Sequence, residues 1–152
     1  VSGVFLGVKY AIEFFREQAK EDEKPTGAIV NLASLAGVLA LKNMGAYCAS
    51  KAAVRNMTKS IAVECGTNNE RIRINSINPG VIKTPMTVAG FGSEFFDNYN
   101  EDTLPVPFGE YGVPDDIAPA VAFLLSDESE IVTGAEITID GGWSAGLAGI
   151  NL

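Results

Sequence analysis

Apolar and polar positions change their period several times along the 152 residues. At the amino end, Phe5, Val8, Ile12 and Phe15 recur at helical spacing, while Lys9, Glu13, Arg16, Glu17 and Lys20 point away from that stripe. The spacing predicts an amphipathic helix over residues 1–20. The polar stretch EDEKPT (21–26) ends it, because Pro25 cannot continue a helix. The short apolar run GAIVNLA (27–33) reads as a buried strand, and small and apolar residues make a loop of 34–42. Helical spacing returns over 44–65, with Asn43 as the cap and Gly66 as the stop. RIRINSI (71–77) predicts a second strand, and Asn78-Pro79-Gly80 must turn. Residues 84–113 are rich in Gly, Pro and aromatics, the composition of a lid or binding loop, with a short helix near 93–99. A further helix opens at Pro114 or Asp116 and runs to about 125; Pro119 suits the later start better. AEITI (135–139) is the last strand, before a turn at Asp140-Gly141-Gly142-Trp143.

Helix, strand, helix, strand, lid with helix, strand is the alternation of a parallel sheet with crossover helices, so the fold class is α/β. Three strands are few for a sheet that needs cover on both faces. The chain therefore reads as part of a larger doubly wound fold.

Composition narrows the function more than the fold. The chain is 47% hydrophobic and 20% charged, the balance of one globular domain. A net charge of −8 with no Lys/Arg stripe argues against nucleic acid and anionic membrane as partners. Histidine is absent, which removes Ser/His/Asp and Cys/His nucleophile sites and the ordinary zinc site; no metal is expected. Cys48 and Cys65 fall in one predicted helix, too far apart to bridge. As free thiols and small core residues they fit a reducing, cytoplasmic setting. No signal peptide is seen, and the longest uncharged run (25–41) is too short to span a bilayer.

The candidate chemistry lies at Ser34, Tyr47 and Lys51. Tyr47 and Lys51 are one helical turn apart, so the phenol and the ammonium share a face. A neighbouring cation favours an ionised tyrosine, and a tyrosine that can lose and regain a proton is a general acid/base. Ser34 stands where a buried strand emerges into a loop, able to meet the same substrate oxygen. Alone, a Tyr-x-x-x-Lys pair is a weak signal whose ordinary counterpart is a solvated helix-surface contact.

The surrounding segments raise its weight. NLAS (31–34), the Ser34–Tyr47–Lys51 spacing, IRINSINPGVIKTPM (72–86), GVPDDIA (112–118) and TGAEITIDGG (133–142) occur in order over nearly the whole chain. Together they resemble the C-terminal half of the short-chain dehydrogenase/reductase family, of the plain dehydrogenase type. The resemblance implies the C-terminal part of a doubly wound, parallel-sheet Rossmann-type fold. It implies hydride transfer between NAD or NADP and a secondary alcohol or ketone. Tyr47 would be the catalytic acid/base; Lys51 would lower its pKa and hold the nicotinamide ribose; Ser34 would bond the substrate oxygen. Pro79, Gly80 and Ile82 would shape the nicotinamide pocket, and the Thr84 hydroxyl would help fix the carboxamide. For Asn31, Asn75 and Asn78, satisfying backbone groups at strand ends weighs as much as direct contact.

The departures bear on domain organisation. No Gly-x-x-x-Gly-x-Gly phosphate loop stands in the family's context, and the Asn-Asn-Ala-Gly segment is missing. By the resemblance, the family's further catalytic asparagine would fall just before Val1. Residues 1–152 are thus expected to be the C-terminal portion of one dinucleotide-binding domain whose phosphate-binding half is absent. The stretch 84–113 has no Lys or Arg but carries Glu94, Asp97, Glu101, Asp102 and Glu110. That acidity disfavours an anionic substrate, and the aromatics suit an uncharged apolar alcohol or ketone, though they could equally just pack the lid. The resemblance also implies a homotetramer or homodimer paired through the first helix and the 44–65 helix. The competing reading is a catalytically inactive remnant serving as an oligomerisation or assembly module; a third is epimerase or dehydratase chemistry on the same tyrosine.

Overall fold

The computed structural model describes residues 1–19, 24–99 and 106–146. Three parallel strands stand in the order β1 (Thr26–Leu32), β2 (Arg71–Pro79), β3 (Glu136–Ile139). Thr26 pairs with Arg71 through to Leu32 with Ile77, and Ser76 with Glu136 through to Pro79 with Ile139. Parallel neighbours need crossovers. Helix α2 (Gly45–Thr67) joins β1 to β2, and α3 (Pro85–Phe91), α4 (Ser93–Asp97) and α5 (Pro114–Leu125) lie between β2 and β3. Helix α1 (Ser2–Gln18) precedes β1.

Strand alternation sorts the core onto two faces. Ile72 and Ile74 of β2 meet Val8 and Ile12 of α1 and Ala62 and Cys65 of α2, with Ile29 of β1 packed against them. Ile77, an odd number of residues along, points the other way, to Ile117 and Leu124 of α5, with Val30 and Ile137 beside it. The sheet is covered by α1 and α2 on one face and by α5 on the other.

Several local expectations shift. Asn43 is not the cap of α2. Its backbone is left-handed (φ 63°), whereas a capping side chain needs an extended backbone; Met44 holds the cap position, without a side-chain bond. Gly66 does not stop α2, which runs one residue further; Asn69 takes the left-handed conformation (φ 60°) that turns the chain. The lid contains two helices rather than one. Thr84 caps α3, its hydroxyl accepting from the Thr87 N–H at 3.2 Å, with Pro85 in the first turn; α4 ends at Asp97. Glu101 and Asp102 lie outside the described residues, as do Lys20 and residues 21–23. Helix α5 takes the earlier start: the Val113 N–H donates to Asp116 Oδ2 at 2.7 Å, and Pro119 sits inside the helix. On α1, Phe5 is half exposed, and Val4 joins the buried stripe in its place.

Candidate active site

Ser34 follows β1 directly and starts a 3-10 turn, Leu35–Gly37. Its Oγ accepts from the Ala36 N–H at 3.1 Å, and its carbonyl accepts from the Gly37 N–H at 2.9 Å. Among the described residues nothing accepts the hydroxyl proton, which can be donated. Gly37 is needed here because the turn lies on α2: a Cβ would stand 2.8 Å from the backbone of Lys51 and Ala52. This close approach presses the Ser34 turn onto the helical turn that carries Lys51.

Tyr47 is in the first turn of α2, half-buried, and Lys51 is one turn on. The Lys51 Nζ donates to the Leu32 carbonyl at 3.1 Å and lies 5.7 Å from the centre of the Tyr47 ring. Leu32 is two residues before Ser34. One ammonium therefore reaches both the phenol's ring and the strand end that presents the serine.

Pro79, Gly80, Ile82 and Thr84 continue from the carboxyl end of β2. That end neighbours the first group, since the Ala33 N–H donates to the Ile77 carbonyl at 2.8 Å. Pro79 closes β2; Gly80 packs so tightly on β3 that a Cβ would meet the Asp140 Cα at 2.8 Å. Ile82 bridges to Gly112, which fastens this loop to the start of α5. Gly80 and Ile82 line a cavity of about 280 Å³ with Val106, Tyr111 and Asp140. Ser34, Tyr47 and Lys51 are not in its lining, so the two groups are adjacent strand ends, not walls of one cavity. Thr84 spends its hydroxyl on the α3 cap and stands 3.1 Å from the Thr87 Oγ1.

A larger cavity, about 690 Å³, opens at the other end of the sheet beside Thr26, Arg71 and Thr133. It is remote from the tyrosine, and its cations are already engaged. Arg71 pairs with Glu130 at 2.5 Å; Arg73 donates to the Leu124 and Ser126 carbonyls and to Ser129 Oγ. The asparagines divide between roles. Asn75 is wholly structural, donating to the Val132 carbonyl and accepting from the Ala135 N–H. Asn31 donates to Thr58 Oγ1 of α2 at 2.9 Å. Asn78 is fully buried and loosely bonded, 3.3 Å from Thr138 Oγ1.

Sequence reasoning overlooked Arg55 and Glu136. The Arg55 guanidinium donates to the Gly37 carbonyl and to Glu136 Oε2, while Lys59 Nζ lies 2.7 Å from Glu136 Oε1. Burial acts to raise the Glu136 carboxyl, but the bonds from Lys59 and Arg55 outweigh it and hold the group below its ordinary value. Continuing the Tyr47–Lys51 spacing by fours reaches Arg55 and then Lys59, the signal that could have found them.

The family model described as "Enoyl-(Acyl carrier protein) reductase" matches residues 1–144. The chain is 39% identical, over 146 residues, to the NADP-dependent (R)-specific alcohol dehydrogenase of Lentilactobacillus kefiri, covering 95% of this chain and 54% of that protein. It is 38% identical to the 3-alpha-(or 20-beta)-hydroxysteroid dehydrogenase of Mycobacterium bovis, covering 97% of this chain and 50% of that one. The chain thus spans about half the length of the curated relatives it matches. Among solved structures, 4-hydroxyisoleucine dehydrogenase complexed with NADH superposes with a TM-score of 0.78 at 34% identity, covering 97% of this chain and 57% of that one. A short-chain type dehydrogenase/reductase from Mycobacterium marinum gives 0.81 at 32%, covering 96% and 54%. With its parallel sheet, its strand-end serine and its Tyr-x-x-x-Lys turn, the chain belongs to the short-chain dehydrogenase/reductase family.

Proposed function

We propose that the chain is the C-terminal portion of an NAD- or NADP-dependent oxidoreductase acting on a secondary alcohol or ketone. The observation that carries this reading is the Lys51 ammonium, 5.7 Å from the Tyr47 ring and bonded to the strand end beside Ser34. When bound, the nicotinamide would supply the hydride donor or acceptor. The residues here would do the rest. Tyr47 takes the hydroxyl proton during oxidation and returns it during reduction. Lys51 sets its ammonium beside the phenol ring and offers donors to the ribose hydroxyls. Ser34 bonds the substrate oxygen and stabilises charge developing there.

The residues after β2 fit a nicotinamide. Pro79, Gly80 and Ile82 would hold it through the backbone; among the described residues, nothing accepts from the Ile82 N–H. The Thr84 hydroxyl would have to serve the carboxamide while capping α3. The phosphate-binding half is assigned to a segment outside these residues. Relatives named for NADP and complexed with NADH support either cofactor.

The substrate is assigned as a small, uncharged, apolar alcohol or ketone. Phe95, Phe96, Tyr99 and Tyr111 form an edge-on aromatic cluster in the lid, and relatives named for alcohols and hydroxysteroids agree with it. A homodimer or homotetramer is assigned to α1, where Leu6, Tyr10 and Phe14 make an exposed apolar row opposite the buried one. Among the described residues no helix is long and apolar enough to cross a membrane.

The test is Tyr47→Phe in the full-length protein that carries this chain. Turnover of secondary alcohols with NAD or NADP should fall by about 10²–10⁴-fold, the worth of a positioned acid/base, while the melting temperature holds. Undiminished turnover would overturn the assignment of Tyr47. Lack of any nicotinamide-dependent turnover in the parent would favour an assembly module.

A further inference from the structure

The serine of such a site works only if its turn is held in register with the tyrosine's helix. β1 alone does not ensure this. Ser34–Gly37 leaves the strand as a single 3-10 turn, held internally by the Gly37 N–H on the Ser34 carbonyl and the Val38 N–H on the Leu35 carbonyl. What lies across that turn is Arg55. Its Cδ would stand 3.0 Å from a Cβ on Gly37, and its guanidinium donates to the Gly37 carbonyl. The remaining donors go to Glu136 Oε2, from Nε at 2.9 Å and from the second terminal nitrogen at 2.5 Å. Glu136 is the first residue of β3, and its other oxygen takes Lys59 at 2.7 Å. Both side chains are mostly buried, at 23% exposure for Arg55 and 16% for Glu136.

Resting on the oxidoreductase reading above, we propose that Arg55 is a positioning residue: its fork clamps the Gly37 carbonyl to Glu136 and so fixes the Ser34 turn against Lys51. Three elements meet at one planar group: the serine turn, the tyrosine helix and β3. The planar guanidinium suits this: its donors sit on three nitrogens and point along fixed directions to two acceptors at once, whereas a lysine at position 55 would carry its three donors on one atom at the end of a flexible stem, without the fork. Glu136 takes both Arg55 and Lys59, so among the described residues Lys51 is the one member of the Lys51–Arg55–Lys59 row without a carboxylate partner.

The experiment compares Arg55→Met, Arg55→Lys and Lys59→Gln in the full-length protein. Steady-state kinetics are read together with hydrogen exchange of the amides of residues 36–39. Arg55→Met should lower kcat about 10- to 100-fold, as misplacement of a reacting group by about an ångström does, with KM for the cofactor changed less than about twofold. The 36–39 amides should exchange at least about tenfold faster, while the Ile74 amide in β2 does not change. Arg55→Lys keeps the charge and loses the fork, so it should hold the melting temperature but show the same faster exchange. Lys59→Gln removes one charge from the same carboxylate and should leave kcat and exchange unaltered. Unchanged kcat and exchange in Arg55→Met would overturn the proposal. So would a Lys59→Gln variant that reproduces the loss, because the effect would then be charge rather than geometry. Should Arg55→Met fail to fold, Arg55→Lys carries the test. An inactive parent would sink the oxidoreductase reading, while hydrogen exchange would still decide whether Arg55 holds the turn.

Discussion

Gly37 shows how narrowly the site is built at the scale of single residues. A methyl group there would press on backbone atoms of Lys51 and Ala52, which cannot swing aside as a side chain could. Gly37→Ala is therefore expected to cost about 1–3 kcal/mol, the range for overpacking a tight contact, measurable by urea titration. A second residue-scale prediction concerns pH. The Glu136 carboxyl is held below its ordinary value of 4.5 in the folded protein by Lys59 and Arg55, against the opposing effect of burial. A depressed folded pKa gives stability that is present above the unfolded value and lost as pH falls through the folded one. The melting-temperature gap between the parent and Glu136→Gln should be full at neutral pH and close as pH drops below about 4.5. A gap that is constant down to pH 3 would contradict the arrangement. The placement of Ser34, Tyr47 and Lys51 was legible because it depends on local sequence spacing and on the end of a strand. Arg55 and Glu136 were not, because their meeting spans 81 positions and depends on β3 lying beside β2.

Elements were legible where burial imposes a period. β1 follows an apolar run, β2 and β3 place isoleucines between polar residues, and both core faces are supplied by Ile72, Ile74 and Ile77 of β2. Legibility was partial where two signals competed. On helix α1 the expected Val8, Ile12 and Phe15 do pack inward, with Val4 in place of Phe5, while a second apolar row through Leu6, Tyr10 and Phe14 is exposed. Periodicity alone cannot say which of two apolar rows meets the chain's own sheet. Helix α3 was missed although Thr84-Pro85 is a start signal, because the surrounding glycines and aromatics read as loop. Helix α2 offers a test of its own packing. Cys65 is buried against α1 and β2, and burial first, then the Glu70 carboxylate, push its thiol up to about 11; Cys48 is only partly covered. A thiol reagent at pH 8 should modify Cys48 alone in the native protein, and Cys65 only after denaturant is added. Equal labelling rates would mean that α2 does not pack as described.

At the scale of the whole molecule, the three-stranded sheet has two open edges among the described residues, and β1 is the longer of them. Among the described residues β1 has β2 as its sole strand neighbour, so its other edge presents unpaired backbone groups along Thr26–Leu32. Leu32, at the end of that edge and next to the proposed site, is more than half exposed. An open, apolar strand edge is a template for pairing with another chain. The exposed row on α1 adds apolar surface on a second side, and the relatives are about twice as long as the chain. These facts lead to one expectation for the 152-residue chain expressed alone. It should self-associate, and on the oxidoreductase reading proposed above it should show no nicotinamide-dependent turnover, because that reading lets Tyr47 and Lys51 act only on a cofactor held beside them. Light scattering after size exclusion, with NADH fluorescence on the same fractions, measures both halves of the expectation. Co-expression with the preceding segment of the same protein should reduce self-association and restore cofactor binding, since a strand added at β1 covers the edge. A monodisperse isolated chain that oxidises an alcohol with NAD or NADP would show that these residues hold the cofactor without a partner half. The assignment of the phosphate-binding half to another segment would then be wrong.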